Sequence, residues 1–255
     1  MPLPLPPDRM PLWRDRRPLK RWRYVGVFAE EALLCFGSVR IAGVPQCFWA
    51  VWDRRTQRLA EKTSFRPRAV ELPDGAVRVR DVASLTLEPA GEPLELVSPH
   101  GRSEIWTRKQ PVRVRGEAGG IAIDAPGLLD DSAGYHARRT AWEWSAGAGR
   151  AVDGRAVWWN LVTGVHDGPD RSERAVWVDG TAHALPPVRF SEPLDAVDGE
   201  EVALRFSAEA ERARRDELLI FASDYRQPFG TYAGTVGGIE LASGLGVMER
   251  HSARW

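Results

Sequence analysis

Turn residues interrupt this chain so often that long helices have little room to form. The 255 residues include 19 prolines and 24 glycines, and many of the short segments between them alternate apolar and polar side chains. A period of two is typical of β-strands, and strands bounded by turn signals every 8–12 residues or so, about the spacing seen here, are typical of antiparallel barrels and sandwiches. The pattern therefore predicts an all-β protein.

The middle of the chain has the clearest strand pattern and is rich in tryptophan. Alternation predicts strands over Tyr135–Ser145, Ala156–His166 and Glu173–Val178, with the first two joined by a turn over Gly147–Arg155 and paired antiparallel. Both faces of the strand Ala156–His166 are apolar. We therefore expect that strand to be covered on both sides.

A break in the strand pattern at Ala125–Gly134 predicts two antiparallel barrel halves. Residues 1–124 are expected to form an N-terminal half with an extended N-terminal arm, and residues 135–255 a C-terminal half. Little helix is expected. The exception is Ala208–Leu219, whose glutamates and arginines favour a solvated helix.

The charge balance excludes several classes of partner. Lysine and arginine together number 35, as do aspartate and glutamate, so the formal net charge is zero. A general nucleic-acid or membrane-surface binder needs a surplus of positive charge, so we expect no nucleic-acid partner. No stretch reaches the roughly 18 apolar residues of a membrane helix, and no signal-like apolar core opens the chain. The expectation is a cytoplasmic protein without an integral membrane segment, and its oligomeric state stays open.

Common metal, cofactor and nucleophile motifs are missing from the sequence. There is no C-x-x-C, H-E-x-x-H or G-x-S-x-G pattern, no phosphate loop and no dinucleotide fingerprint. We therefore expect neither a metal nor a cofactor. Cys35 and Cys47 lie in apolar, strand-like runs and are interpreted as buried free thiols, while a disulfide would require an oxidising compartment.

The C-terminal segment Gly246–Trp255 turns two ionisable residues toward an apolar face. Alternation places Glu249 and His251 on that face, while the opposite face, which includes Met248 and Arg250, is mostly polar and is expected to meet solvent. A carboxylate and an imidazole turned inward are costly unless they are paired or hydrogen-bonded. They therefore form either a structural ion pair or part of a site.

Seven motifs along the chain resemble a bacterial family, the domain of unknown function 2804. They are KRWRYVGVF at 20–28, FWAVWDR at 48–54, GYHARRTAWEWSAGAG at 134–149, NLVTGVHD at 160–167, SERAVWVDG at 172–180, YRQPFGTYAGT at 225–235 and GVMERH at 246–251. More distantly, the chain is similar to lipocalin-like (calycin) proteins such as the carotenoid hydratase and tocopherol cyclase-like proteins. This similarity implies two lipocalin-like barrels, but no hydratase motif matches position by position, so it implies no catalytic residue.

Polar residues on the aromatic-rich strands are the candidate site residues, because small-molecule pockets are mainly apolar with a few convergent polar groups. The candidate catalytic residues are Glu249, His251, Asp167 and His166. The candidate ligand-binding residues are His136, Arg138, Trp142, Trp144, Trp158, Asn160, Tyr225, Gln227 and Tyr232. Each also has a structural explanation, since aromatic side chains fill β cores and an aspartate can cap a turn.

Two functions fit these residues. The first is a binding protein whose cavity holds a lipophilic or aromatic small molecule, with Arg138 or His136 fixing a polar head group. The second is an enzyme that hydrates, cyclises or isomerises such a ligand by general acid–base chemistry, with Asp167, Glu249 or a histidine as the acid. The sequence does not separate these two functions, nor does it name the ligand.

Overall fold

A computed structural model describes residues 10–100, 102–168, 171–217 and 222–254 of the chain. The strands of the first half are β1 (Trp13–Arg14), β2 (Arg17–Pro18), β3 (Lys20–Phe28), β4 (Ala32–Ile41), β5 (Val44–Asp53), β6 (Arg58–Ser64), β7 (Ala76–Val79), β8 (Ala83–Pro89), β9 (Leu94–His100), β10 (Ser103–Ala118) and β11 (Ile121–Gly134). Those of the second half are β12 (Arg139–Ala151), β13 (Ala156–Thr163), β14 (Ala175–Val178), β15 (Thr181–Ala184), β16 (Val188–Phe190), β17 (Ala196–Gly199), β18 (Val202–Glu217), β19 (Ala222–Val236) and β20 (Ile239–Arg254).

Two nine-stranded antiparallel sheets make up the body of the protein. The N-terminal sheet has the order β6-β5-β4-β3-β11-β10-β8-β7, with β9 also paired to β10, and the C-terminal sheet has the order β15-β14-β13-β12-β20-β19-β18-β17-β16. Both sheets are curled as half-barrels, and no helix occurs in the described ranges. The predicted all-β, lipocalin-like fold is confirmed. Whether residues 1–124 and 135–255 behave as separate domains stays a prediction.

Each sheet buries side chains on both of its faces, and one face of each sheet packs against the other sheet. Alternation within single strands sorts the side chains. In β3, Val25 and Val27 pack only within the N-terminal sheet, whereas Tyr24 and Phe28 contact the C-terminal sheet. We call the layer between the sheets the shared core. Its members include Tyr24, Phe28, Leu33, Cys35, Trp52, Leu128, Trp144, Trp158, Val162, Trp177, Phe229 and Val247.

Strand β13 is apolar on both faces because both of its faces are buried. Trp159 and Leu161 pack in the core of the C-terminal sheet, while Trp158 and Val162 pack in the shared core. The strand also pairs antiparallel with β12, in a register that places Ser145 opposite Leu161. The two-sided burial and the pairing predicted from the sequence are both confirmed.

The predicted helix over Ala208–Leu219 is wrong as far as the chain is described. Its residues up to Glu217 belong to β18, which pairs with β19 along its length, and the last two lie outside the described ranges. Alternation persists through this charged segment, with Arg212 buried and Arg214 half-buried between exposed neighbours. Pairing with β19 overrides the local helix propensity of alanine, glutamate and arginine.

The predicted boundary over Ala125–Gly134 is part of β11, and the chain crosses between the sheets at residues 135–138. Two other details also differ from expectation. Gly147 lies inside β12, where a Cβ would overlap Trp159 and sit 2.6 Å from the carbonyl oxygen of Leu245, so close packing explains this glycine. Met248, expected to meet solvent, is fully buried in the core of the C-terminal sheet.

The two cysteines are buried free thiols, as predicted. They lie on opposite faces of the N-terminal sheet. Cys35 lies in the shared core and Cys47 in the core of the N-terminal sheet. Burial raises the pKa of the Cys35 thiol to about 12, which keeps it protonated. In the part of the chain that the structure describes, no helix is long and apolar enough to cross a membrane.

Candidate functional site

A cavity of about 150 Å³ lies between the two sheets, beside the shared core. Both sheets supply its walls. The aromatic lining residues are Trp22 and Tyr24 from β3, Phe48 from β5, Trp142 and Trp144 from β12, and Tyr225 from β19. Ionisable side chains lie among them and form two polar groups, which we call the Glu249 end and the Lys109 end.

At the Glu249 end, a carboxyl group from β20 is enclosed by the sheets. Glu249 is 8% exposed, and its Oε1 accepts a hydrogen bond from Trp142 Nε1 at 2.8 Å. Its Oε2 accepts one from Gln227 Nε2 at 3.0 Å, and Gln227 Oε1 in turn faces the Tyr24 hydroxyl at 3.4 Å. Burial raises the pKa of the Glu249 carboxyl to about 7, although the hydrogen bond from Trp142 opposes the rise. This side chain can therefore carry an exchangeable proton near neutral pH.

His251, two residues further along β20, faces the same cavity but is electrically neutral. Its ring lies 4.3 Å from the Trp142 ring, and its Nε2 lies 2.7 Å from the Ser223 hydroxyl oxygen. Burial, followed by the nearby Arg212 charge, lowers the pKa of His251 to about 3. The imidazole can position a ligand by hydrogen bonding, but it holds no proton to donate as an acid at neutral pH.

Arg212 supplies the positive charge near the Glu249 end. Its guanidinium lies 4.3 Å from the centre of the Phe48 ring and 5.1 Å from that of Tyr225, and it pairs with Glu61 at 3.2 Å. Arginine stacked on aromatic faces and held by a carboxylate is fixed in orientation. The guanidinium thus forms part of the wall between Phe48 and Tyr225.

At the Lys109 end, three charged side chains form a buried ion-pair cluster. Lys109 Nζ lies 2.5 Å from Asp130 Oδ1 and 3.1 Å from Glu173 Oε2. Burial alone would lower the pKa of Lys109, but the two carboxylates raise it, so the ammonium stays charged. Burial also raises the pKa of Asp130 to about 6, against the opposing effect of Lys109. Asp130 can therefore hold a proton up to about pH 6.

His166 borders the Lys109 end, and its hydrogen bonds define its tautomer. The Ser132 hydroxyl donates to the Trp106 carbonyl at 2.9 Å, so it accepts from His166 Nε2–H at 3.2 Å. Nδ1 then accepts from the Ser98 hydroxyl at 2.8 Å. Burial and the Lys109 charge hold the pKa of His166 well below its usual value, so the imidazole is neutral.

Six of the candidate residues from the sequence line the cavity. They are Glu249, His251, His166, Trp142, Trp144 and Tyr225. Gln227 stands behind Glu249 as its hydrogen-bond donor. Asn160 fixes Trp144, because its Oδ1 accepts from Trp144 Nε1 at 2.8 Å while its Nδ2 donates to the Glu173 carbonyl at 2.9 Å.

The other candidates lie away from the cavity lining. Arg138 is exposed, and so is Asp167, whose Oδ2 accepts from the Gly164 amide at 2.7 Å in the loop that follows β13. Tyr232 packs in the core of the C-terminal sheet and donates to the Val247 carbonyl at 2.7 Å. Trp158 packs in the shared core, and His136 is buried in the crossing between the sheets.

Sequence reasoning missed the residues that the N-terminal sheet and β18 bring to the cavity. Asp130 lay in the segment interpreted as a boundary, and Arg212 lay in the segment interpreted as a helix. In the last part of β18 burial alternates along the strand, whereas Ala125–Gly134 has no alternation in sequence or in burial, so it offered no such signal. Nothing in the sequence indicated that Lys109 would meet Asp130 and Glu173, since that contact depends on how the two sheets pack. Among the described side chains, no group of three or more His, Cys, Asp or Glu is placed to hold a metal ion.

The fold and the cavity define an all-β, lipocalin-like protein with a polar site enclosed between two curled sheets. The chain belongs to the family described as Domain of unknown function (DUF2804), whose sequence profile matches residues 85–255. No curated protein matches the chain in sequence at a significant level.

Several solved structures are similar to this chain. One comes from Nitrosomonas europaea and is provisionally described as AttH. It is 14% identical, the match covers 98% of this chain and 96% of that chain, and the TM-score is 0.49. Kievitone hydratase from Nectria haematococca is 8% identical and CghA is 11% identical; for each, 92% of this chain and 88% of that chain are covered, with a TM-score of 0.47. At these values the likeness carries no information about activity.

The raised pKa of Glu249 predicts that the protein becomes less stable as pH rises. The folded state keeps this proton up to about pH 7, whereas an ordinary glutamate loses it near 4.5, so folding binds a proton across that window. The unfolding free energy should therefore fall by about 3 kcal/mol between those pH values because of Glu249. Asp130, whose pKa rises from 3.8 to about 6, contributes in the same direction.

Urea unfolding of the wild type and Glu249→Gln at about pH 5 and pH 8 measures this effect. The unfolding free energy of Glu249→Gln should fall less between the two pH values, because the substitution removes the contribution of Glu249. A loss of stability that is the same at both pH values cancels in this difference. Glu240→Gln, an exposed change on the same strand, serves as the control and should retain the full fall. An equal fall in all three proteins contradicts the assignment.

Proposed function

We propose that the cavity between the sheets binds a small lipophilic or aromatic molecule. The observation that carries the proposal is the lining itself, with six aromatic side chains around two buried polar groups. Such a combination is the general form of a small-molecule site, because apolar walls provide affinity and a few polar groups fix orientation. The Glu249 carboxyl, the His251 imidazole and the buried Tyr225 hydroxyl line the cavity and can hydrogen-bond a ligand's polar atom.

The size of the cavity constrains the ligand. A volume of about 150 Å³ is that of an apolar cavity known to take up benzene, whereas drug-sized ligands fill roughly 300 Å³ or more. We therefore expect one ring, or a branched chain of similar size, to lie inside. The remainder of a larger molecule would extend past half-buried side chains of the lining, which include Val39, Ile41, Gln46, Arg214 and Asp216.

A bulky side chain at that part of the lining should weaken binding. Val39→Trp adds a bulky side chain to the cavity lining, and it should weaken binding of phenol, used as a single-ring probe in isothermal titration calorimetry, by at least about tenfold. Val44→Trp makes the same change at a valine that is 65% exposed and lies outside the lining, and it should change the affinity less than about twofold. Unchanged phenol binding in Val39→Trp, or no saturable binding to the wild type, counts against the proposal.

A specific observation also favours the second candidate function, general acid–base catalysis. Glu249 and Asp130 line the same cavity from opposite sheets, with pKa values raised to about 7 and about 6. Perturbed acids of this kind cluster at catalytic sites, and a catalytic pKa near the working pH is the most efficient. Between these values Glu249 holds a proton while Asp130 is ionised, so one acid and one base are present together.

These two groups suit the hydration of a carbon–carbon double bond. Glu249 would transfer its proton to one carbon while the water oxygen bonds to the other, and Asp130 would accept the proton that this water releases. The same pair would isomerise a double bond if Asp130 removed a proton from one carbon and Glu249 delivered its proton to another. In each case the two carboxyl groups exchange roles, and a proton returns from Asp130 to Glu249 through solvent.

Isotope incorporation tests the chemistry before the substrate is known. Small molecules extracted from the purified protein are returned to it in D₂O and analysed by mass spectrometry. Wild type and Glu240→Gln should incorporate deuterium at carbon, while Glu249→Gln and Asp130→Asn should be slower by about 10²-fold or more. The wild-type rate should peak between about pH 6 and pH 7. If the molecules bind but none of the proteins incorporates deuterium into them, catalysis is rejected and the binding function is retained.

A further inference from the structure

A second group of polar side chains lies apart from the cavity lining, near the crossing between the sheets. His136 is in the crossing segment and 1% exposed. The Gly134 backbone lies near enough to oppose the lowering of its pKa, but neither ring nitrogen has a partner in hydrogen-bond geometry. The His136 ring lies 5.3 Å from that of His100, the last residue of β9, whose buried Nε2 also has no hydrogen-bond partner. Arg17 in β2 likewise buries its Nη1 without one. Each of these three side chains can donate a hydrogen bond.

Buried donors without acceptors are rare in folded proteins, and each requires an explanation such as an ordered water or a bound ion. Charge distinguishes these explanations. Burial and the Arg17 charge lower the pKa of Lys20, the first residue of β3, to about 7. Burial, Arg17 and Lys20 lower that of His100, and Asp167 is the carboxylate that opposes this effect. Arg17 and Lys20 act on these groups with positive charge, so a bound cation would be repelled and an anion would be attracted.

The pKa of His136 responds to the same surroundings. Burial holds it well below its usual value, and the charges of Lys20, His100 and His166 add to the effect. An anion placed among these groups would reverse the charge effect, because it favours the protonated forms of both histidines and of Lys20. Binding of an anion would therefore be accompanied by proton uptake.

We propose that Arg17, His100 and His136 form a binding site for a small oxyanion. The three side chains come from β2, β9 and the crossing segment, so the bound anion would tie the N-terminal hairpin to the junction of the two sheets. Trp22 contacts His136 with ring centres 4.9 Å apart and also lines the cavity on its other side. The oxyanion site is thus separated from the cavity by one side chain, and the proposal does not depend on what the cavity binds.

Calorimetric titration with sodium sulfate and with sodium acetate, at constant ionic strength, tests the site. We expect one saturable site per chain in the wild type. Arg17→Gln should weaken binding at least about tenfold. Arg16→Gln, an exposed neighbour in the same hairpin, is the matched control and should bind like the wild type. Sulfate binding should tighten as the pH falls from about 8 to about 6, since sulfate keeps its charge while the protein takes up protons.

The two anions distinguish the source of the ligand. Binding of acetate alone indicates a carboxylate, binding of sulfate alone indicates a tetrahedral oxyanion, and either supports the site. No saturable binding of either anion, or equal binding in Arg17→Gln and wild type, overturns it. If Arg17→Gln fails to fold, ¹⁵N spectra of the wild-type histidine rings decide. Sulfate should move the His136 nitrogens toward their imidazolium values, and unchanged His136 resonances would overturn the proposal.

Discussion

The packing of one sheet face against the other is the constraint on which the rest of this structure depends. Because each sheet covers the other, strands such as β3, β13 and β20 must be apolar on both faces, and the shared core joins Tyr24 and Phe28 to Trp144 and Val247. Apolar burial on this scale is the main favourable term in folding. The same packing removes solvent from every polar group between the sheets, so it determines both the architecture and the chemistry of the site.

Enclosure between the sheets gives ordinary side chains unusual protonation states. A carboxylate loses hydration when it is buried, and for Glu249 this cost outweighs the opposing effects of its hydrogen bonds and of the Arg212 charge, so its pKa rises. Burial has the same effect on Asp130, but the Lys109 charge offsets part of it, and the pKa of Asp130 rises to about 6. Imidazoles respond in the opposite direction, which makes His166 and His251 neutral. The cavity therefore offers exchangeable protons on its acids, while its histidines act as hydrogen-bonding groups.

Much of the fold follows from the sequence, because a period of two specifies strands and their buried faces. Alternation placed Glu249 on a buried face and predicted that β13 would be covered on both sides. Arg212 was assigned to a helix because local composition was weighed above alternation. Asp130 was assigned to a boundary because its segment of β11 does not alternate. The meeting of Lys109 with Glu173 could not have been predicted, since it depends on the orientation of two sheets whose interface leaves no local signal in the chain.

The central claim is that the sheets enclose a carboxyl group that keeps its proton near neutral pH. Carbon-13 NMR of protein labelled at the glutamate carboxyl carbon tests it directly, through a titration of every glutamate in the folded state. We expect one resonance that titrates near pH 7, well above the ordinary value of about 4.5, and that is absent from the spectrum of Glu249→Gln. A wild-type spectrum in which every glutamate titrates near that ordinary value would contradict it.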